Sequence, residues 1–151
     1  MKIYLDSGAS VKGIKDLEKR YEIVTFPYDS ISNMRGNLSV PSATCFNDIG
    51  LVSFSDIGDY TFEDLSESDL YHQISVVVGK HSHNDILHLD SAYKSRAQIF
   101  LTSDKKDIWR NREKLEEICK FKIFHTPSED FLIRAFIEDY VSNISSGCVI
   151  L

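Results

Sequence analysis

Three aspartates stand at the ends of predicted elements, where a strand or a helix meets a loop. Asp6 ends the apolar run KIYLD, and Asp104 comes just after the apolar run QIFLT. Asp85 opens a segment with helical periodicity, a position at which a helix favours negative charge. Each acid alone could be a helix cap or a solvated strand end. Because the three acids occupy matched positions, we interpret them as parts of one carboxylate site.

The chemistry expected of these three acids is metal binding. Carboxylates that share a small volume repel one another and raise one another's pKa, unless a cation lies between them. A site with only oxygen ligands suits Mg²⁺ or Mn²⁺ better than softer metals. The sequence therefore predicts that Asp6, Asp85 and Asp104 bind Mg²⁺ or Mn²⁺.

The elements that would position these acids alternate between strand and helix. Strands are predicted at KIYLD, EIVTF, QIFLT and FKIF, and helices over residues 11–21, 62–72, 83–96, 105–120 and 126–144. This alternation predicts a parallel sheet with helices on both faces. Ligands bind such a sheet beyond the carboxyl ends of its strands, so Asp6 and Asp104 should emerge at the same edge. On a helix, Asp85 lies on the same face as Leu89 at i+4 and Ala92 at i+7, and this apolar face should pack on the sheet. We therefore expect Asp85 at the end of the buried face.

The composition is that of an ordinary globular domain. The chain has 151 residues, a formal charge of −6 and 42% hydrophobic residues, so it can bury a sizeable core. The acidic balance gives no general attraction to nucleic acid, and no run of about 18 apolar residues could span a bilayer. The three cysteines are odd in number and lack CxxC spacing, which is not typical of a disulfide framework or a zinc site. A cytoplasmic location without membrane contact is the expectation.

Two blocks of the sequence resemble the PIN-domain family. YLDSG at residues 4–8 resembles the opening strand of PIN domains, which ends in Asp followed by Ser or Thr. DILHLDSAYKSRAQIFLTSDKKDI, from residue 85, resembles their second half, and KFKIFHTPSEDFL is similar to their closing strand and the helix after it. The resemblance covers residues 2–8 and about 80–132, which is more than a third of the chain.

This resemblance implies a fold and an activity. The fold would be a single PIN-like domain over residues 1–151, of the α/β class, with three α/β/α layers and a central, mostly parallel sheet. The activity would be that of a metal-dependent endoribonuclease, often the toxin of a toxin–antitoxin pair. The implied partners are an RNA substrate and an antitoxin protein, which would offer an Arg to the acids.

The resemblance also implies a role for each site residue. Asp6 and Asp104 would bind Mg²⁺ or Mn²⁺ from the strand ends, and Asp85 would complete the site from its helix. Ser7 and Thr102 would orient the carboxylates or their waters. The metal would activate a water molecule and stabilise the charge that develops on the phosphate.

A further acid of the family, usually Glu, has no clear counterpart in this sequence. The closest stretch is VPSATCFNDIG, in which Asn47 falls at the matching spacing and Asp48 is one residue late. Asp48 is therefore the alternative fourth metal ligand, with Glu63 and Glu67 as further candidates. Without such an acid, the chain would be a catalytically inactive PIN-like domain that acts as a protein- or RNA-binding module.

Basic residues follow the last predicted site aspartate. Lys105, Lys106 and Arg110 are the predicted substrate-binding residues, because phosphate neutralisation is the usual source of affinity for RNA. Trp109 lies among them and could stack on a base, but a core or interface position is the favoured interpretation. The alternative for this segment is a solvated helix face, because acids are interleaved: Asp107, Glu113, Glu116 and Glu117.

The histidines raise a rival metal hypothesis. His81, His83 and Asp85 match the H-x-H-x-D that begins the metallo-β-lactamase signature, but Ile86 stands where that signature continues with His. The remaining ligands are not evident among the 5 histidines, so a loop position is predicted for His81 and His83. We interpret His88 as a packed or hydrogen-bonded helix residue and not as a base.

Two further features leave alternatives open. The last four residues, CVIL, match a prenylation signal, although an apolar tail is the simpler interpretation because no polybasic stretch precedes them. The sequence does not determine the oligomeric state, and a homodimer is one of the states left open.

Overall fold

Short apolar segments become the strands of one sheet, and the amphipathic segments between them become helices. A computed structural model of the chain describes residues 1–28, 36–42 and 65–147. The strands in these ranges are β1 (Lys2–Leu5), β2 (Glu22–Thr25), β3 (Asn37–Leu38), β4 (Ile99–Thr102) and β5 (Lys122–His125). The α-helices are α1 (Ile14–Arg20), α2 (Tyr71–Val78), α3 (His83–Lys94), α4 (Arg112–Cys119) and α5 (Asp130–Ser145).

The five strands form one parallel sheet in the order β3-β2-β1-β4-β5. Strand β1 pairs with β2 on one side, with Ile3 opposite Ile23, and with β4 on the other, with Leu5 opposite Leu101. The chain thus builds outward from β1 in one direction and then returns to add β4 and β5 in the other. The border between β1 and β4 is therefore the topological switch point of the sheet, where open α/β sheets bind ligands.

Alternate residues of the strands face two separate hydrophobic cores. Tyr4 and Phe100 pack on one face with residues of α2, α3 and α4, including Ile74, Leu89 and Leu115. The other face carries residues of β1, β2 and β4 and packs with α1 and α5: Ile3, Leu5, Ile23, Leu101, Ile14, Ile133 and Ile137. Helices therefore cover both faces, and the predicted three-layer α/β/α fold with a parallel sheet is confirmed.

Four predicted helix starts were wrong. Helix α1 begins at Ile14 instead of residue 11. Residues 65–70 are not helical, and α2 begins only at Tyr71 and includes the β-branched run ISVVV at residues 74–78. Ile74 and Val78 of that run are buried at i and i+4, so packing outweighs strand propensity. Residues 105–108 form a turn, followed by a 3₁₀ turn at Trp109–Asn111, before α4. Residues 126–129 also form a turn, so Pro127 precedes α5 instead of opening it.

Helix α3 holds the chain on both sides of residues 43–64. The buried carboxylate of Asp90 accepts hydrogen bonds from the Ser42 hydroxyl (2.6 Å), the Ser68 amide (3.1 Å) and the Ser68 hydroxyl. Lys94 Nζ donates to the carbonyl oxygens of Pro41 (2.6 Å) and Ser66 (2.5 Å). Both flanks of residues 43–64 are thus tied to one face of α3.

Replacing Asp90 by asparagine should lower the free energy of unfolding by about 1–2 kcal/mol, because an amide nitrogen would face a hydroxyl and the charge-assisted hydrogen bonds would be lost. Urea unfolding measures the change. The matched control is Asp139→Asn, at an exposed position of α5, which should change the free energy by less than about 0.5 kcal/mol. Equal stability of the two variants would contradict the role given to Asp90.

Candidate metal centre

Three carboxylates meet at the carboxyl edge of the sheet. They belong to Asp85 in the first turn of α3, Asp104 just after β4, and Asp107 in the following turn. One oxygen atom from each lies within 4.8 Å of the other two, and all three side chains are partly buried. The structure thus brings together two of the predicted ligands, Asp85 and Asp104, and adds Asp107, here named with them the acidic cluster.

The pKa of Asp85 is shifted by its burial and by the charges of the neighbouring acids. The pKa of Asp85 is raised from 3.8 to about 7, mostly by burial and in addition by the charges of Asp6, Asp104 and Asp107, while His88 lowers it. Both burial and the nearby negative charges thus disfavour the ionised form of Asp85. A cation bound between the carboxylates would relieve the repulsion.

Local hydrogen bonds hold the second and third acids of the cluster. Asp104 Oδ1 accepts hydrogen bonds from the backbone amides of Asp107 (2.7 Å) and Ile108 (3.5 Å), which forms the turn after β4. The Ser82 hydroxyl donates to Asp107 Oδ2 (2.7 Å) and so ties this turn to the loop before α3. Asp104 and Asp107 therefore lie on the same side of one turn.

Asp6 lies beside the cluster and is held separately. It is buried, and its charge reaches Asp85, although the group of three described acids within 4.8 Å does not include it. The Thr102 hydroxyl donates to Asp6 Oδ2 (2.7 Å), and the Ser7 amide donates to Asp6 Oδ1 (2.8 Å). Thr102 thus makes the contact to a carboxylate that the resemblance implies, and the role of Asp6 as a metal ligand stays a prediction.

A buried histidine adjoins these residues. His88 Nδ1 lies 2.8 Å from the Tyr4 hydroxyl, and His88 Nε2 lies 2.8 Å from the Ser7 hydroxyl. Burial first, and the charges of Tyr28 and Asp6 in addition, raise the pKa of Tyr4 well above its usual value, so this phenol is neutral. The expectation of a packed, hydrogen-bonded His88 agrees with this geometry.

The predicted RNA-binding residues differ in their surroundings. Lys105, Lys106 and Arg110 are exposed, and their role stays a prediction. Trp109 is partly buried and donates from Nε1 to Glu129 Oε2 (3.1 Å). Arg112 pairs with Glu129 at 2.7 Å and lies over the Trp109 ring, 4.9 Å from its centre. These contacts favour a structural role for Trp109 over a base platform.

Some predicted ligands fall outside the site or outside the described ranges. Asp48, the alternative fourth ligand, lies outside the described residues, as do Asn47 and Glu63. Glu67 is exposed, and its charge acts on Tyr71. His81 is exposed in a turn, which agrees with the loop position predicted for it, whereas the loop position predicted for His83 was wrong, because His83 is the first residue of α3. The C-terminal CVIL also lies outside the described residues.

Sequence reasoning missed Asp107 as a member of the cluster. It counted this residue among the charges of a solvated helix face, because it predicted a helix over residues 105–120. The available signal was the spacing in DKKD, since two acids three residues apart in a turn after a strand can point the same way. The turn that makes this possible is formed by the Asp104 side chain itself.

Comparisons with protein-family models, with curated proteins and with solved structures gave no match for the chain. The likeness to PIN domains therefore rests on the quoted motifs, and the candidate metal centre rests on the geometry of the acidic cluster. None of the helices in the described part of the chain combines the length and apolar character needed to cross a bilayer.

Proposed function

We propose that the chain is a metal-dependent endoribonuclease of the PIN type. The observation that carries this proposal is the acidic cluster of Asp85, Asp104 and Asp107, which lies at the carboxyl ends of parallel strands beside the switch point between β1 and β4. Three carboxylates with one oxygen each within 4.8 Å of the other two repel one another and attract a cation. Open parallel sheets bind their ligands beside the switch point, so a phosphodiester would approach the chain on this side.

The donor set fits Mg²⁺ or Mn²⁺. All its atoms are carboxylate oxygens, which hard divalent cations prefer, and the cluster offers no nitrogen or sulfur ligand. When bound, such a cation supplies positive charge to the phosphate oxygens on which negative charge develops during cleavage. Asp85, Asp104 and Asp107 would hold it, with Asp6 as the further predicted ligand.

The remaining residues would bind and orient the substrate. Ser7 is exposed next to the buried Asp6, and its hydroxyl, which lies 2.8 Å from His88 Nε2, would also contact a phosphate or a water of the substrate complex. Lys105, Lys106 and Arg110 are exposed on the segment that follows Asp104, and they would bind the RNA backbone on that side. Thr102 would keep the Asp6 carboxylate turned toward the site through its 2.7 Å hydrogen bond.

The same cluster suggests how the activity would be controlled. If the chain is the toxin of a toxin–antitoxin pair, a partner that inserts an Arg between the carboxylates would replace the cation's charge with a bidentate hydrogen-bonded pair. Mn²⁺ and such a partner would then exclude each other. The formal charge of −6 favours a basic partner segment.

The test is cleavage of an unstructured, end-labelled RNA by the purified chain. We expect products with Mn²⁺ and with Mg²⁺, none in EDTA, and none with Ca²⁺ alone, while DNA of the same sequence stays intact. If RNA stays intact with every cation, the nuclease proposal is wrong. Retention of the same RNA in a mobility-shift assay would then support the inactive binding module.

A further inference from the structure

His88 is a buried polar side chain at the metal centre to which the proposed chemistry assigns no role. Its ring is 1% exposed, in the middle of a stretch of α3 that is buried over seven consecutive residues from Ile86 to Ala92. A polar ring in such surroundings needs a partner for each nitrogen. Both partners are hydroxyl groups, and both belong to β1 or to the residues just after it.

One edge of the imidazole ring contacts the turn after β1, which begins at Asp6. His88 Nε2 lies 2.8 Å from the Ser7 hydroxyl and 3.7 Å from Asp6 Oδ1. The opposite oxygen of Asp6 accepts the hydrogen bond from Thr102. Asp6 thus lies between a threonine hydroxyl and an imidazole edge. Within this turn, the Ala9 amide donates to the Asp6 carbonyl oxygen (3.1 Å).

The other edge of the ring is anchored in the core. His88 Nδ1 lies 2.8 Å from the Tyr4 hydroxyl, and the Tyr4 ring stacks on Phe100 with an interplanar angle of 4°. The Tyr28 ring contacts the imidazole edge to face, with centroids 4.9 Å apart. Each hydroxyl can donate or accept, so both hydrogen bonds form in either tautomer of the ring. Contacts at both nitrogens and at the ring edge thus hold the imidazole between the core and the turn after β1.

We infer that His88 is a positioning residue, which holds Ser7 and Asp6 in place at the metal centre by linking them to the packed rings of Tyr4 and Phe100. It acts through its Nε2 edge and does not touch the reacting atoms. The value of this positioning for cation binding rests on the proposed function. The positioning itself does not, because it concerns only contacts within the chain. Partners that orient metal ligands in this way typically contribute about 10- to 100-fold to metal affinity.

Two amide variants separate the two edges of the ring. In His88→Gln the side-chain amide reaches toward the position of Nε2, and in His88→Asn it reaches only toward Nδ1. Hydrogen exchange of the Ser7 and Ala9 amides is the readout, because both close the turn at Asp6. We expect near-wild-type exchange in His88→Gln and exchange about five- to tenfold faster in His88→Asn, the effect of one lost hydrogen bond. Both variants lose the imidazole, so a merely structural role would affect them alike.

Tyr4→Phe provides a second test that leaves His88 in place. It removes only the hydroxyl at Nδ1 and keeps the ring that stacks on Phe100. We expect exchange at Ser7 to rise about two- to fivefold. Equal exchange in His88→Gln and His88→Asn would overturn the inference, and so would unchanged exchange at Ser7 in Tyr4→Phe.

Calorimetric titration with Mn²⁺ alone then links the positioning to the metal centre. The Kd for Mn²⁺ should rise about 10- to 100-fold in His88→Asn and less than about threefold in His88→Gln. If wild type does not bind Mn²⁺ while the exchange pattern is as expected, the proposed function fails and the positioning role stands. If Mn²⁺ binds equally to both variants, His88 does not position the metal centre, and the inference is overturned.

Discussion

Replacing Asp104 by asparagine should lower Mn²⁺-dependent cleavage of RNA by about 10²–10³-fold. Asp104 supplies one of the three clustered carboxylates and also forms the turn that places Asp107, through its Oδ1. Asparagine keeps an oxygen that can accept the same backbone hydrogen bonds, so the turn should persist. The variant removes the negative charge alone. Its effect therefore reports on cation binding and not on the fold.

The control for this experiment is Asp139→Asn. Asp139 is an exposed acid on α5, and the same substitution there changes the net charge equally without touching the centre. We expect its cleavage rate to match wild type over a full titration with Mn²⁺. Equal cleavage by wild type and Asp104→Asn would show that a contaminating nuclease, and not this chain, degrades the RNA.

Mn²⁺ should stabilise the wild-type fold by about 2.7 kcal/mol at a hundredfold excess over its Kd, because a ligand that binds only the native state adds that free energy. For a domain of this length the melting temperature should rise by about 5–10 °C. Asp85→Asn should erase this shift. Mn²⁺ should act more strongly than Mg²⁺, which demands near-ideal octahedral geometry and gives up its waters reluctantly. Thermal unfolding with each cation measures the effect.

Without metal, Asp85→Asn should raise the free energy of unfolding, and the size of this gain should depend on pH. The pKa of Asp85 rises from 3.8 to about 7, with burial as the largest cause and the neighbouring acids next. The folded state therefore holds a proton that the unfolded state has lost between about pH 4 and pH 7. The contribution of Asp85 to stability is highest below its unfolded pKa and is lost as the pH rises through 7.

Asparagine carries no such titration, so the stability gained by Asp85→Asn should grow from about pH 4 to pH 7. Because the carboxyl is half-exposed and screened by solvent, we expect a gain of about 1–2 kcal/mol at pH 7 in EDTA. The quantity to compare is the difference in free energy of unfolding between Asp85→Asn and wild type, because the other carboxylates titrate in both proteins. If Asp85→Asn keeps the full Mn²⁺ shift, the cation binds elsewhere and Asp85 is only a helix-end acid.

Much of the sheet and two of the three clustered acids could be predicted from local patterns. Strands and helices alternate in the sequence, and parallel strands place their carboxyl ends at one edge, so Asp104 was predicted there, and Asp85 was predicted to join it from the start of its helix. Helical periodicity of the apolar residues also predicted α3, and its predicted start at His83 agrees with the structure. These features depend on neighbours a few residues away, and periodicity reports on such neighbours directly.

The sequence alone determined which residues could do chemistry, and the tertiary structure decided which of them meet. The order β3-β2-β1-β4-β5 set β4 beside β1, and no local pattern states that order. The contact of His88 with Tyr4 joins residues 84 positions apart, and Asp107 joined the cluster only because a side chain formed a turn where a helix was predicted. The physical reason is the same in each case. Hydrophobic periodicity records which face of a helix or strand is buried. Strand order, side-chain hydrogen bonds and the electrostatic interactions between carboxylates depend on contacts between elements from distant parts of the chain.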